Sequence, residues 1–171
     1  MKRIHLALGI LLASSFTAGA ASATSLSLSM GSGGQLNTGS GTTSSVAPLA
    51  TEFSVGFSIA PNVTLDAGFL FAHDIDSNLP GNAKSSYLGF RPGIRAYGGQ
   101  PWSALRPYFR VAIPVQYTSE TKTADIGILV GGGLEYRIGR MFGVFGEALV
   151  TPYFTNGAVP IEGRVGVSVH F

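Results

Sequence analysis

The stretch that decides the fold is IEGRVGVSVHF, residues 161–171 at the end of the chain. Apolar side chains occupy its odd-numbered positions, apart from Gly163, and its even-numbered positions hold Glu, Arg, Gly, Ser and His. Because side chains of a β-strand point alternately to opposite faces, this pattern predicts a strand with one apolar and one polar face. The strand ends on the aromatic residue Phe171.

The other end of the chain predicts a cleaved signal peptide over residues 1–23. Lys2 and Arg3 precede an apolar run at 6–13, and small residues then lead to Ala21-Ser22-Ala23. A charged region, a short hydrophobic region and an A-x-A site are typical of secretory signals. The run is shorter than the roughly 20 apolar residues of a spanning helix, so no transmembrane helix is expected. Residues 24–171 are expected to form one domain.

The charge and cysteine content narrow the classes of function. Lys2 and Arg3 account for the whole formal charge of +2, which leaves nine basic and nine acidic residues in 24–171. A neutral mature chain offers no basic surface to nucleic acid, so no nucleic-acid partner is expected. The chain has no cysteine, which excludes disulfides and cysteine-based metal sites.

Alternation of apolar and polar residues recurs along the chain and predicts eight strands. They are expected at about 24–31, 52–59, 63–71, 87–97, 108–117, 125–137, 142–150 and 161–171. The connections form two alternating sets, as an antiparallel up-and-down barrel requires. The Gly/Ser/Thr-rich segment 32–50 is expected to be a long, mobile extracellular loop, and 73–84 a second loop. Pro92 and Pro114 fall inside predicted strands, where proline removes a hydrogen-bond donor, so we expect a bulge or local break at each.

Charged residues of the predicted strands all lie on the polar faces. Contact with lipid explains why the apolar faces carry no charged residue, since a charge at the midplane of a membrane barrel costs roughly 2–4 kcal/mol. The polar faces use Arg, Asp, Glu and Gly but no Lys, which indicates a crowded enclosed space where arginine pairs with carboxylates. The sequence therefore predicts an all-β fold, an eight-stranded antiparallel up-and-down transmembrane β-barrel with a filled polar lumen. The expected lumen charge network comprises Glu52, Asp66, Arg91, Arg95, Arg110, Asp125, Glu135, Arg137, Glu147, Glu162 and Arg164.

Over its mature length the chain resembles the small OmpA/OmpX-type eight-stranded outer-membrane β-barrel proteins. The features that carry the resemblance are the signal peptide, the strand count, the alternation and the closing strand 162–171. The resemblance implies a bacterial outer-membrane location, a monomer, and contact with outer-membrane lipid and lipopolysaccharide. It also implies that the barrel-insertion machinery reads an insertion signal formed by Val165, Val167, Val169 and Phe171. The short third and fourth loops of this chain depart from the better-known members and argue against adhesion through those loops.

Several short motifs fit catalytic or metal sites poorly. Asp74, Asp76 and Asn78 have the spacing that opens a calcium loop, but the loop's required Gly and Glu are replaced by Leu79 and Ser85. His73 beside Asp74 resembles part of a lipid A deacylase site, yet no His-x-Ser-Asn motif is present. The glycines 131–133 lie within a strand rather than before a helix, so they do not form a phosphate loop. We therefore expect no catalytic residue, no metal and no cofactor.

Aromatic residues near the predicted strand ends are expected to form the girdles that membrane barrels place at the lipid interfaces. They are Tyr97, Trp102, Tyr108, Tyr136, Phe142, Tyr153 and Phe154. The sequence thus favours a non-enzymatic outer-membrane barrel without an open pore, with a structural role in envelope integrity or a role in surface interaction. An outer-membrane lipid-modifying enzyme and a soluble periplasmic lipocalin-like barrel that binds a small apolar ligand are the alternatives.

Overall fold

A computed structural model describes residues 25–39, 45–76, 84–118, 122–155 and 157–171. The predicted signal peptide therefore lies outside the described residues. Within them, no helix is long and apolar enough to span a membrane. The strands are β1 (Leu26–Gly39), β2 (Ser45–Ala60), β3 (Val63–Asp76), β4 (Lys84–Tyr97), β5 (Leu105–Ala112), β6 (Val115–Thr118), β7 (Thr123–Ile126), β8 (Leu129–Ile138), β9 (Phe142–Val150) and β10 (Ala158–His170).

The ten segments form the eight strands of a closed antiparallel barrel. Consecutive barrel strands pair with each other, and β10 pairs with β1 from Ser27↔His170 to Gly39↔Ala158, which closes the barrel. Segments β5 and β6 are two halves of one barrel strand, because both pair with β4 in a single continuous register. Segments β7 and β8 are likewise halves of the next strand, opposite β6 and β5. The predicted fold class and strand count are confirmed.

Proline explains why two barrel strands are interrupted. The Ile113 N–H donates to the Pro92 carbonyl at 2.9 Å, and the Gly127 N–H donates to the Pro114 carbonyl at 3.1 Å. At each place an antiparallel pair would exchange two hydrogen bonds, but proline has no N–H and only one remains. The break predicted at Pro114 is confirmed. At Pro92 no bulge forms, because β4 passes through it in unbroken register with β3, but the ladder on the other side of β4 breaks between Gly93↔Ala112 and Phe90↔Val115.

The predicted long first loop is largely strand. β1 continues to Gly39 and β2 begins at Ser45, so most of the segment 32–50 belongs to a paired hairpin with one irregularity between Gly33 and Gln35. The second predicted loop is also shorter, since β3 extends to Asp76. Small polar residues satisfy the backbone ladder as well as apolar ones do, so they extend the hairpin without the apolar alternation that marks strands within lipid. The prediction of a long first loop over 32–50 is therefore wrong.

The barrel wall is apolar outside and charged inside. Phe90 and Leu134 are about half-exposed on the outer face, whereas their chain neighbours Arg91 and Glu135 are almost completely buried in the lumen. Apolar side chains outside and charged side chains inside are the arrangement predicted for a barrel surrounded by lipid. It rules out a soluble barrel with an apolar binding cavity, whose apolar face would have to point inward.

Glycine opposes glycine at the seam where the barrel closes. Gly31 of β1 pairs with Gly166 of β10, and Gly166 pairs in turn with Phe145 of β9. A Cβ built on Gly31 would meet the Phe145 ring at 2.9 Å, and one on Gly166 would overlap the Met30 backbone oxygen. The two glycines thus leave the space that the buried Phe145 ring occupies.

We expect Gly166→Ala to destabilise the barrel by about 1–3 kcal/mol, the range for an overpacked site. Gly163→Ala on the same strand is the matched control, because a Cβ there meets no atom within 4 Å. Reversible urea unfolding in lipid vesicles measures both variants. Equal stability of the two would show that the seam tolerates a side chain and that packing against Phe145 does not depend on glycine.

Candidate functional site

The barrel lumen gathers the charged residues that the alternation pattern assigned to it. Ten of the eleven are buried, and the side chain of the eleventh, Arg137, is 23% exposed. Strands β2, β3, β4, β5, β7, β8, β9 and β10 each contribute at least one of them. Because every second residue of a strand faces inward, charges that are distant in sequence come together in one enclosed space.

Glu52 of β2 lies at the centre of this network. Its Oε1 is 2.7 Å from Arg110 Nη2, and its Oε2 is 2.6 Å from Arg164 Nη1 and 3.2 Å from Arg91 Nη1. These arginines belong to β5, β10 and β4, so one carboxylate connects strands across the bore. All four side chains are at most 4% exposed, which makes these ion pairs dry and short.

Three further carboxylates pair with the arginines of this network. Arg91 contacts Glu162 in a bidentate arrangement, with distances of 2.6 and 2.8 Å. Arg110 Nη2 lies 2.8 Å from Asp66 Oδ2, and Arg95 Nη2 lies 3.5 Å from the same oxygen.

Glu147 Oε1 is 3.0 Å from Arg164 Nη2, and the Tyr108 hydroxyl donates to its Oε2 at 3.0 Å. Four arginines, Arg91, Arg95, Arg110 and Arg164, thus face four carboxylates, Glu52, Asp66, Glu147 and Glu162. The barrel interior balances its own charge, which offsets the cost of removing these groups from water.

Apolar side chains pack the lumen on the side of the central network away from the described chain ends. Ala50, Leu70, Ala72 and Tyr87 form one buried cluster, and Ala112, Leu129 and Leu149 form another. Leu70 borders the charge network, since a Cβ on Gly89 would lie 3.3 Å from Leu70 and 3.9 Å from Arg91 Nε. The gap beside Glu52, Arg164 and Phe145 leaves no volume for a water molecule. Together these layers fill the centre of the bore, as the sequence predicted.

A second polar cluster near the chain termini was not found in the sequence. Ser168 Oγ donates to Glu135 Oε1 at 2.6 Å, and His170 Nε2 lies 2.7 Å from the same oxygen. These contacts pass over Gly143 of β9, where a Cβ would meet Ser168 Oγ at 2.5 Å. The sequence signal was present, because all three polar side chains lie on inward positions, but the glycine between them gave no reason to connect β8 with β10.

This cluster has the residue types of a hydrolase triad without its geometry. In a triad, one histidine nitrogen contacts the serine and the other contacts the acid. Here the single atom His170 Nε2 contacts both Glu135 Oε1 and Ser168 Oγ, the latter at 3.2 Å, and the serine proton goes to the carboxylate. The arrangement joins β8 to β10 and differs from a triad in that one histidine nitrogen contacts both of the other residues.

Arg106 is a lumen residue that the sequence prediction placed in a connection. It lies on β5 and is 3% exposed. Its guanidinium carbon stacks 4.3 Å above the Tyr97 ring, and Nη2 donates to Asn62 Oδ1 at 3.0 Å. The alternation of Arg106, Tyr108 and Arg110 is the signal that should have extended the predicted strand.

The predicted aromatic girdle is wrong for three of its seven members. Tyr97, Tyr108 and Tyr153 are buried in the lumen, whereas Trp102, Tyr136, Phe142 and Phe154 are exposed. Lumen charges hold the inward rings, as in the contact of Arg95 with the Tyr108 ring at 4.9 Å. The alternation along each strand, and not the distance from a strand end, therefore decides whether an aromatic side chain faces the lumen or the outside.

The other motifs noted in the sequence are not part of a binding or catalytic site among the described residues. In the described part of the chain, no group of three or more His, Asp or Glu side chains could hold a metal ion. The side chains of His73, Asp74, Asp76 and Asn78 lie outside the described residues. Val165, Val167 and Phe171 are exposed on the outer face and Val169 is partly exposed. Their reading by the insertion machinery stays a prediction.

Comparison with solved structures defines the class of fold. The chain superimposes on Neisserial surface protein A, NspA, with a TM-score of 0.66 and 13% identity, over 88% of this chain and 98% of that one. The attachment invasion locus protein Ail of Yersinia pestis gives a TM-score of 0.64 and 10% identity, over 86% and 99%. The outer membrane enzyme PagL gives 0.50 and 13%, over 81% and 97%.

These similarities show that the chain has the fold of the small eight-stranded outer-membrane β-barrels, so the OmpA/OmpX-type resemblance is confirmed. No protein-family model and no curated protein sequence matches the chain. At 10 to 13% identity, the similarity extends to the fold and to no particular activity.

We expect Glu52→Gln to lower the free energy of unfolding in lipid vesicles by roughly 3–5 kcal/mol, the cost of removing one partner of a buried ion pair. The amide keeps the shape of the side chain but leaves three arginines to share fewer negative charges. Arg140→Gln is the control, because it removes one charge from an exposed turn and should change stability by less than about 0.5 kcal/mol.

Combining Glu52→Gln with Arg164→Gln removes one charge of each sign. We expect the loss to be smaller than the sum of the two single losses, because the double variant restores neutrality. Strictly additive losses would contradict a shared, charge-balanced network.

Proposed function

We propose that this protein is a non-enzymatic, non-conducting barrel of the bacterial outer membrane that contributes to envelope integrity. The observation that supports this proposal most directly is the filled lumen, in which four arginines and four carboxylates pair across the bore. A barrel of eight strands is just wide enough for its side chains to fill. The lumen therefore serves as the packed core of the molecule rather than as a path through it.

The outer surface supports our proposal for the location and partners of the protein. A continuous apolar wall requires lipid around it, and outer-membrane lipid and lipopolysaccharide are the proposed partners. Residues 1–23 are proposed to direct export and to be cleaved, and Val165, Val167, Val169 and Phe171 are proposed to be read by the insertion machinery. The mass of the exported protein should correspond to residues 24–171, and a mass that retains residues 1–23 would contradict cleavage.

Two features favour a structural role over surface attachment or catalysis. The connections at the end away from the described chain ends are short, such as the five residues between Gly39 and Ser45, so attachment to a host surface would have to use the paired β1–β2 hairpin rather than long loops. The Ser168, His170 and Glu135 cluster lacks the separate histidine contacts of a hydrolase. A monomer suffices for this role, because the filled core is complete within one chain.

The proposed orientation puts the end that contains Ser25 and Phe171 in the periplasm. The two shortest connections, 61–62 and 139–141, lie at that end, and membrane barrels keep their short turns on the periplasmic side. The connections at 40–44, 77–83, 119–122 and 151–157 would then face the outside.

In planar bilayers, the purified protein should give no steady conductance, because paired side chains rather than water occupy the bore. A larger porin reconstituted in the same bilayer provides the positive control. A stable, porin-sized conductance would contradict the filled lumen and make transport the leading function.

The absence of cysteine makes orientation directly measurable with single introduced thiols. Thr155→Cys and Gln100→Cys replace exposed residues at opposite ends of the barrel. A membrane-impermeant maleimide should label Thr155→Cys in intact cells and Gln100→Cys only after the outer membrane is disrupted. The reverse pattern would invert the proposed orientation, and labelling of neither after disruption would place the protein elsewhere.

A further inference from the structure

A polar cavity opens into the lumen at the barrel end that contains the described chain ends. Its volume is about 180 Å³, and it lies apart from the neutral central network. Hydroxyl and basic side chains line it: Ser27, Ser58, Thr64, Arg106, Arg137 and His170. Neither the filled bore nor the proposed envelope role uses this space.

The cavity carries an excess of positive charge. Among the described residues, Arg106 has no ion pair, and Arg137 reaches a carboxylate only through the 3.7 Å contact of its Nε with Glu135. Glu135 already accepts from Ser168 at 2.6 Å and lies 2.7 Å from His170. Two guanidinium groups therefore line this space with one nearby carboxylate, Glu135, whose Oε1 is engaged by Ser168 and His170 and whose Oε2 makes only the long contact with Arg137. The central network, in contrast, balances its arginines with carboxylates.

Arg106 is held as a rigid donor. Its stacking on Tyr97 and the hydrogen bonds of Nη2 to Asn62 Oδ1, at 3.0 Å, and to the Pro61 carbonyl, at 3.3 Å, fix the plane of the guanidinium. The side chain is 3% exposed, and its buried Nε–H has no hydrogen-bond partner among the described residues. A buried donor without an acceptor is unfavourable, so an acceptor in the cavity would be bound with little reorganisation.

Neutral hydroxyl donors surround the same space. Ser25 Oγ donates to Ser58 Oγ at 2.8 Å, and Ser58 Oγ is 3.2 Å from Thr64 Oγ1. Hydroxyls and guanidinium groups together form the donor set that binds phosphate and sulfate oxygens. The volume exceeds the roughly 30 Å³ share of one water molecule several-fold, so it admits a small oxyanion with a few waters.

We propose that this cavity binds one small tetrahedral oxyanion of the phosphate class between Arg106 and Arg137. The oxyanion neutralises the local charge excess and supplies acceptors for the arginine donors. It comes either from free inorganic phosphate or from the phosphate of a lipid headgroup at the adjacent membrane surface. The inference concerns the described lumen and does not depend on the envelope role.

The test measures the thermal unfolding of the protein in an uncharged maltoside detergent, with inorganic phosphate titrated against chloride at equal ionic strength. Phosphate should stabilise the protein in a saturable manner that chloride does not reproduce. Arg106→Gln and Arg137→Gln should each weaken phosphate binding by about tenfold or more, as loss of one charge-assisted donor implies. Arg140→Gln is the matched control, because it removes the same charge from an exposed turn at the same end of the barrel.

A second arm identifies the source of the phosphate. In nanodiscs of phosphatidylglycerol, a bound headgroup would abolish the added stabilisation by inorganic phosphate, whereas a free-phosphate site would retain it; either outcome supports the oxyanion site. Equal effects of phosphate and chloride on the wild-type protein would overturn the proposal, as would equal phosphate affinity in all three variants. If Arg106→Gln does not fold, the comparison of Arg137→Gln with Arg140→Gln decides, because the Arg137 side chain is 23% exposed and makes one long ion pair.

Discussion

A buried charge must be paired, and in this molecule the pairing crosses the bore. Glu52 pairs with the guanidinium groups of Arg91, Arg110 and Arg164 within 3.2 Å, although the four residues come from four strands. An isolated ion pair on a water-exposed surface contributes little to the stability of a protein. In a dry interior the same contacts become a condition of folding, because any strand that failed to join would leave an uncompensated charge.

The wall and the lumen therefore impose opposite requirements on alternate residues of each strand. Lipid excludes charge from the outside, and the packed interior excludes unpaired charge from the inside. Glycine provides the space needed where a large lumen side chain lies against the backbone of a neighbouring strand. At Gly68, for example, a Cβ would lie 2.5 Å from Glu52 Oε1, so a side chain there would displace the central carboxylate.

Local alternation predicted the barrel and its lumen because both depend on which face each residue occupies. The same reasoning failed at residues 32–50, where backbone pairing continues without an apolar face. It also assigned Tyr97 to the membrane interface, although Arg106 holds that ring inside. The cluster of Glu135, Ser168 and His170 depends on strand neighbours and on Gly143 between them, and such contacts are set by register rather than by spacing in the sequence.

The glycine pair at the closing seam bears on the order of assembly. Pairs such as Ser27↔His170 join the two ends of the described chain, so they have the greatest sequence separation in the barrel and the largest loop-closure cost. Hairpins between consecutive strands can pair before that cost is met. When β1 finally meets β10, Gly31 and Gly166 present bare backbone to each other, and the Phe145 ring already belongs to the neighbouring hairpin. The pairing with the largest loop-closure cost is thus made where Gly31 and Gly166 bring no side chain to the seam.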